Sequence, residues 1–358
     1  MNNKQRIILK ICLLLLSYII VAITIAVIMH KIDTGGWAGV DAERFHEMAR
    51  IIINGFNPYI SYIDPKPPLL FYVVAAMDLV QPAGFLDVPV ITSINIICAF
   101  LLFYIGNKDY GYLSGFFAGL LYLIVAAFVQ GYILFSEQFA ILFLLLAFIS
   151  ARKSQYVYAG ICIGLAIGFK QYAILGFIPL LYLMWIEGEK RLYYLIIPAI
   201  IVGLIPYGLL LLMYGNEVMM SALYWTFGIG SAYISGQEIL EIPSYQTNNF
   251  FAFSMYLISS VFIVLPVVLF SGASVIKRGL RSPSEWTIFL FVIVLLGTLL
   301  IRQYLHYWIL ILPFIILLAC REFAEEKNGN QSPKPPLNPS SPEISPRTHR
   351  IILNSRKK

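Results

Sequence analysis

The sequence predicts an all-α protein that crosses a membrane many times. Of its 358 residues, 59% are hydrophobic and only 12% are charged, and the mean hydropathy is +0.79. A soluble domain of this size cannot bury so much apolar side-chain surface. The apolar residues also fall in runs suited to helical spans of about 20 residues. The fold class expected is therefore a polytopic transmembrane helical bundle.

The first apolar run, residues 11–29, predicts a retained transmembrane helix. Lys4, Arg6 and Lys10 precede it. A secretory signal has a shorter apolar core and a small-residue cleavage site, so this run should span, with its basic end in the cytoplasm. The first outer loop, residues 30–68, then lies outside the cytoplasm.

Later apolar runs are separated by short basic loops, which by the positive-inside rule should face the cytoplasm. These loops contain Arg152 and Lys153, residues 187–191, and residues 277–281. All of these loops fall on the cytoplasmic side only if the run 69–80 does not cross the membrane by itself. That run is also too short for a full span. The prediction is about ten crossings, or eleven if 69–80 spans. The runs are approximately 69–80, 88–106, 112–130, 138–150, 157–169, 172–186, 192–214, 251–271, 286–301 and 305–320.

The first outer loop contains a predicted amphipathic helix, residues 41–53, that lies on the membrane surface. One face carries Phe45, Met48, Ala49 and Ile52, and the other carries Glu43, Glu47, Arg50 and Asn54. Asp41 projects above the apolar face, and Arg44 lies at its edge. Two compatible interpretations of Asp41 remain open: a helix N-cap, or a carboxylate directed into a site.

Lys66 lies where the chain re-enters apolar sequence, in the stretch Asp64-Pro65-Lys66-Pro67-Pro68. Consecutive prolines are tolerated at a helix start, because the first N–H groups have no intrahelical partner. Lys66 is therefore expected beside a helix N-terminus, where its charge and the helix dipole both favour an anion. Snorkelling of the lysine to lipid headgroups is the alternative.

On this topology, further ionisable residues fall on the same outer side as Asp41 and Lys66. Ionisable residues at helix ends on one side of a bundle indicate a functional site, with membrane-edge anchoring or a buried ion pair as the alternative. The polar loop 215–250, rich in aromatic residues, is expected to cover a cavity mouth. The further residues are Glu137, Lys170, Arg302 and His306.

After the membrane domain, residues 1–321, the Pro- and Ser-rich basic segment 322–358 predicts a disordered cytoplasmic tail. The net charge of +6 lies in loops and tail, so it does not indicate a nucleic-acid partner. The four cysteines lie in or beside apolar runs without metal-binding spacing. Walker, GxGxxG and HExxH motifs are absent from the sequence.

A set of motifs resembles the GT-C glycosyltransferases, in the family-39, protein-mannosyltransferase and aminoarabinose-transferase-like branch. The first outer loop carries Asp41-x-x-Arg44, Ala49, Gly55, Asn57-Pro58-Tyr59 and Lys66-Pro67-Pro68-Leu69-Leu70. Later segments agree in order: FAGLLYLIV at 117–125, SEQFAILFLLLAF at 136–148, GLAIGFKQYAILGFIPLLYL at 164–183 and RQYLHYWILILPFIILL at 302–318. The likeness covers about residues 8–320. Many members have an Asp-Glu pair where this chain has Asp41-Ala42, followed by Glu43.

The resemblance implies a GT-C bundle that transfers a sugar from a polyprenyl-phosphate donor to a lipid, glycan or protein hydroxyl. The reaction would take place at the outer face of the cell membrane. Asp41 would be the general base, and Arg44 and Lys66 would hold the donor phosphate. A divalent metal requirement is left open. The candidate substrate-binding residues are Arg44, Lys66, Glu43, Glu137, Lys170, Arg302 and His306.

Two other classes of function remain open. One is a transporter or flippase for a lipid-linked or anionic substrate, with Arg44 and Lys66 as the binding cations. The other is a non-catalytic scaffold whose tail recruits partners. A transporter predicts charges deep in mid-span, whereas these charges cluster at helix ends, which favours chemistry at the membrane surface.

Overall fold

A computed structural model of the chain describes residues 3–32, 39–81, 84–228, 250–301 and 304–324. Over these residues the protein is all helical and contains no strand. The α-helices are α1 (Asn3–Ile32), α2 (Gly39–Ile53), α3 (Pro68–Val80), α4 (Asp87–Tyr110), α5 (Tyr112–Phe128), α6 (Ser136–Ala151), α7 (Tyr156–Phe169), α8 (Phe177–Ile186), α9 (Tyr193–Tyr214), α10 (Asn216–Leu223), α11 (Phe250–Arg278), α12 (Pro283–Ile301) and α13 (Trp308–Cys320).

Five helical stretches in the described part of the chain are long and apolar enough to cross a bilayer. The remaining apolar helices are shorter, so the count of about ten crossings stays a prediction. The prediction of an α-helical membrane protein is confirmed. The five stretches are Leu9–Lys31, Asp87–Tyr110, Tyr193–Tyr214, Val261–Arg278 and Leu305–Phe323.

The bundle is built around α13, which is buried at every position. Phe314 of α13 stacks on Phe291 of α12, with ring centroids 4.2 Å apart, and Phe148 of α6 meets Phe314 edge-on. Few residues are buried in the apolar stretches Leu9–Lys31 of α1 and Val261–Arg278 of α11, as lipid-facing helices should show. The residues just before α13 therefore enter the bundle at its centre.

The helix α3 begins and ends beside α2. Phe71, near its start, packs against Phe45 with ring centroids 6.1 Å apart, and Asp78, near its end, pairs with His46. Both Phe45 and His46 lie on α2, so α3 packs against α2 near both of its ends. With 13 residues, α3 is shorter than a full span, and the expectation that 69–80 is not a complete crossing stays a prediction.

The prediction that residues 215–250 form a loop is wrong for the part that the structure describes. Residues Asn216–Leu223 form α10, and Tyr224–Gly228 continue as a π-helical turn. Gly215, with φ of +88°, ends α9 and lets a new helix start, because glycine adopts positive φ without strain. Val218 and Ala222 are buried one helical turn apart, so tertiary packing outweighs the polar composition. The rest of this segment lies outside the described residues.

The compact part of the chain extends to Ala324. Glu322 belongs to it and pairs with Lys277 and Arg278 at the end of α11, at 3.2 and 3.1 Å. The tail predicted from residue 322 lies, beyond Ala324, outside the described residues.

Candidate functional site

The helix α2 positions the predicted base. It starts at Gly39, so Asp41 lies inside the first turn, and the N-cap interpretation of Asp41 is wrong. Phe45, Met48 and Ala49 are fully buried, which confirms the amphipathic pattern. With that face packed inward, Asp41 is partly buried at the helix start, where the helix dipole favours a carboxylate.

Lys66 is held by the residues around it. Its backbone N–H donates to Asp64 Oδ1 at 3.0 Å, and its Nζ lies 3.4 Å from the same oxygen. The ammonium also lies 4.6 Å from the centre of the Phe45 ring, within cation–π range. The Lys66 side chain is only 14% exposed, so it does not reach out to headgroups as a snorkelling lysine would. The helix α3 begins at Pro68, as the proline run predicts.

The segment before Lys66 is tied to distant parts of the chain. Tyr59 donates its hydroxyl to the Lys66 carbonyl at 2.6 Å, although Tyr59 itself has an unusual φ of +63°. Its own carbonyl accepts a hydrogen bond from Ser221 of α10 at 2.9 Å. Gln171 donates its side-chain amide to the Pro65 carbonyl at 3.1 Å. Such a backbone, strained and over-determined by its surroundings, is typical of functional sites.

A second cluster joins Glu137, Lys170 and His306. Lys170 Nζ lies 2.6 Å from Glu137 Oε1, and their side chains are 5% and 1% exposed. His306 Nε2 lies 3.8 Å from the same oxygen. The Lys170 ammonium also lies 4.4 Å from the centre of the Tyr307 ring. Each of the three residues comes from an end of a different helix: α6, α7 and α13.

The His306 ring is held in a stack of aromatic rings. The Phe135 ring stacks on the imidazole with ring centroids 4.1 Å apart. The Tyr304 ring also stacks on it, with centroids 5.4 Å apart. Gln130 Oε1 approaches His306 Nδ1 at 3.4 Å, and Gln130 is another non-glycine residue at positive φ, +62°. The imidazole is therefore fixed in orientation by the loop between α5 and α6.

Lys66 and the cluster of Glu137, Lys170 and His306 both influence the pKa of Asp41. Burial is the largest influence and would raise the pKa of Asp41, but basic side chains outweigh it and lower the pKa below its ordinary value of 3.8. The carboxylate is therefore ionised at neutral pH. In decreasing order of effect, the side chains that lower the pKa are those of Lys66, His306, Lys170 and Arg44.

Most of the predicted site residues thus meet at one end of the bundle. Glu43 is the exception in the described chain, since it is exposed on the polar face of α2. Arg302 lies outside the described residues. The residues brought together are Asp41, Arg44, Lys66, Glu137, Lys170 and His306.

A buried bridge beside this site is not predicted by the sequence pattern. His46 of α2 contacts Asp78 through Nδ1 at 2.8 Å and Asp87 through Nε2 at 3.0 Å. The hydrogen bond with Asp87 is the largest cause of a rise in the pKa of His46 to about 9, so the imidazole is charged at neutral pH. The only available signal was a histidine beside Phe45 on the buried face of an amphipathic helix.

Within the described residues, no group of three or more His, Cys, Asp or Glu side chains is arranged to hold a metal ion. We therefore assign no metal ligands. No family model, no curated protein and no solved structure matches this chain. Function is therefore inferred from the geometry of the site.

Proposed function

We propose that this chain is a membrane glycosyltransferase of the GT-C type. It would move a sugar from a polyprenyl-phosphate donor to an acceptor hydroxyl at the outer face of the cell membrane. The observation that carries the proposal is Asp41, a partly buried and ionised carboxylate. It is surrounded by basic side chains from separate segments: α2, the stretch before α3, the end of α7 and the start of α13.

The reaction needs a proton acceptor and a stabilised leaving group. The acceptor oxygen attacks the anomeric carbon of the donor sugar, and the bond from that carbon to the phosphate oxygen breaks. The hydroxyl proton passes to Asp41, and the phosphate leaves with one additional negative charge. Cations held near the leaving oxygen stabilise that charge as it develops.

Arg44 and Lys66 suit the donor phosphate in different ways. A guanidinium can bind two phosphate oxygens at once, whereas an ammonium acts as a point charge. Lys66 is oriented by the Asp64 carboxylate and the Phe45 ring, so less side-chain entropy is lost on binding. Lys170, held by Glu137, adds a third positive charge to the site.

Donor binding would also strengthen the base. Without donor, the basic side chains keep the pKa of Asp41 low, and a carboxylate with a low pKa is a weak proton acceptor. A phosphate placed among the same side chains offsets part of their charge and raises the pKa of Asp41. The base then becomes stronger only when the reaction can proceed.

The deciding experiment uses the purified full chain in lipid nanodiscs. Synthetic polyprenyl-phosphate sugars or nucleotide sugars are supplied with lipid, glycan and peptide acceptors, and sugar transfer is measured by mass spectrometry. We expect transfer from the lipid-linked donor alone, lost in D41N and retained in E43Q, which changes an exposed acid on the same helix. Turnover with a nucleotide sugar alone would overturn the proposal. Donor movement across liposomes without sugar transfer would support a transporter or flippase instead.

The side of the membrane is tested separately by single-cysteine labelling in a variant without the native cysteines. We propose that position 43, exposed on α2, reacts with an impermeant reagent added outside intact cells. Position 281, exposed in the basic loop before α12, should react only after the membrane is opened. Labelling of position 281 from outside would contradict the proposed orientation.

A further inference from the structure

We propose that His46, clamped between Asp78 and Asp87, is a positioning residue that fixes α2 and thereby sets the place of the Asp41 carboxylate. This inference rests on the function proposed for Asp41. It concerns residues that take no part in the chemistry themselves.

The bridge joins three helices through one ring. Asp78 lies in the last turn of α3, and Asp87 is the first residue of α4. Both ring nitrogens of His46 are used, at 2.8 and 3.0 Å, so the imidazole cannot rotate without breaking a contact. The His46 and Asp78 side chains are 9% and 8% exposed. Separation of any one of these partners would leave an uncompensated buried charge, which is strongly unfavourable.

The helix ends explain why a cation is needed at this point. A carboxylate at the end of a helix, such as that of Asp78, opposes the helix dipole, whereas one at a helix start, such as that of Asp87, is favoured. The two carboxylates also repel each other across the turn between α3 and α4. A positive imidazolium between them offsets both unfavourable terms, so the turn and α2 are held together.

Gly84 leaves space for the contact between His46 and Asp87 because it has no side chain. Gly84 has φ of +73°, a conformation that glycine adopts without strain. A Cβ atom at this position would lie 3.1 Å from Asp87 Oδ2 and 3.2 Å from His46 Nε2. A larger residue would therefore press on the bridge without removing any of its charges.

Two parts of the candidate site depend on how α2 is placed. Asp41 lies on the same helix, five residues before His46. Phe45, adjacent to His46, places its ring 4.6 Å from the Lys66 ammonium. A tilt of α2 would move the base and would also move the ring that contacts the donor-binding lysine.

The first test measures the position of α2 without any enzymatic assay. Nitroxide labels are placed at Arg50 of α2 and at Ile174 in the turn after Lys170, both exposed, in the full chain with its native cysteines replaced. Pulsed electron resonance in nanodiscs then gives the distance distribution. We expect H46Q and G84A to broaden this distribution. M48L, a volume-conserving change on the buried face of the same helix, is the matched control and should leave it unchanged.

The second test measures transfer per folded molecule. In H46Q we expect kcat to fall about 10- to 100-fold, since a displacement of about 1 Å in a catalytic group has an effect of this size. In M48L any loss should be confined to thermal stability. The double variant D78N/D87N, which keeps the imidazole but removes its ionic partners, should reproduce the fall in kcat.

The outcomes separate this inference from the proposed function. Unchanged distances and unchanged kcat in H46Q, with only a lower Tm, would overturn the positioning role and leave the glycosyltransferase proposal intact. Broadened distances in a chain with no transfer activity would support the positioning role and contradict the proposed function.

Discussion

The two polar ends of the helical bundle bury charge in different ways. At the end away from the candidate site, arginines pair with carboxylates through several contacts. Arg152 binds Asp109 with both terminal nitrogens of its guanidinium, one of them at 2.9 Å. Arg321 contacts Glu285 at 3.0 Å, and these two side chains are 3% and 9% exposed. These pairs connect the ends of α4, α6, α12 and α13.

At the site end, the buried ion pairs use lysines. Lys170 and Lys66 each contact one carboxylate oxygen, at 2.6 and 3.4 Å, and each also lies near an aromatic ring. Unlike the arginine forks, these cations act together on a third group, the carboxylate of Asp41.

The difference separates structural from functional burial of charge. A planar guanidinium that uses both nitrogens on one carboxylate is committed to that partner and locks the helices that carry the pair. A lysine ammonium is a compact point charge with three rotatable donors, so a single contact with one carboxylate leaves donors that can turn to a second anion. We expect substitutions at the arginine end to reduce stability and those at the site end to reduce activity.

The largest effect should come from Asp41. In D41N the site loses its proposed proton acceptor, and kcat should fall by a factor of about 10²–10⁴, the usual contribution of a general base. The matched change at the other end, D109N, should lower the melting temperature and leave kcat of the folded enzyme near that of the wild type. Transfer assays and thermal unfolding in nanodiscs measure both quantities. If D41N keeps its activity, the base lies elsewhere, and Glu137 is the next candidate.

Breaking an arginine pair should give the largest loss of stability. In R321M the Glu285 carboxylate stays buried without its partner, at a cost of about 3–5 kcal/mol in the free energy of unfolding. R321M/E285Q should recover much of this loss. Glutamine keeps an oxygen that can accept from the Ser282 N–H at the start of α12, as Glu285 does at 3.2 Å. Chemical unfolding measures the effect. A double variant no more stable than R321M would show that the charge is not the cause.

Removal of Lys66, the lysine proposed to bind the donor phosphate, should have an intermediate effect. In K66A, kcat/KM for the lipid-linked donor should fall about 10- to 150-fold, equivalent to about 1.5–3 kcal/mol for contacts with a charged group. KM for the acceptor should change little. K277A, which removes a lysine whose side chain is 73% exposed at the other end, is the control and should have almost no effect. Equal losses for donor and acceptor would argue against a phosphate-binding role.

The smallest effect should be the loss of kcat/KM at low pH, which reports on the protein before it binds the donor. The folded-state pKa of Asp41 lies below its ordinary value of 3.8. The ionised carboxylate therefore contributes its full stabilisation above pH 3.8, and this stabilisation is lost only as the pH falls through the folded-state pKa. The profile of kcat/KM should therefore stay flat down to about pH 5. The profile of kcat should show its acidic limb at a higher pH if, as proposed, the bound donor phosphate raises the pKa of Asp41. Identical profiles would contradict activation of the base by the donor.

The sequence by itself determined the features that depend on local pattern. Hydropathy indicated a membrane bundle, since a span is a property of about 20 consecutive residues. The 3.6-residue period located α2 and its buried face, and the proline run located the start of α3. Helix-end positions singled out Asp41, Lys66, Glu137, Lys170 and His306 as candidates, because apolar runs end where polar residues can reach water or a cavity.

Only the tertiary structure decided which of those candidates meet and what holds them. The partners of His46 lie 32 and 41 residues away along the chain, and no local period encodes a pairing over that separation. The exposure of Glu43 and the helical start of the segment 215–250 depend equally on neighbours brought in by folding. The pKa of Asp41 is set in the same way, because the charges that outweigh its burial come from segments as far along the chain as Lys170, and Coulomb interactions depend on distance in space and not on distance in sequence.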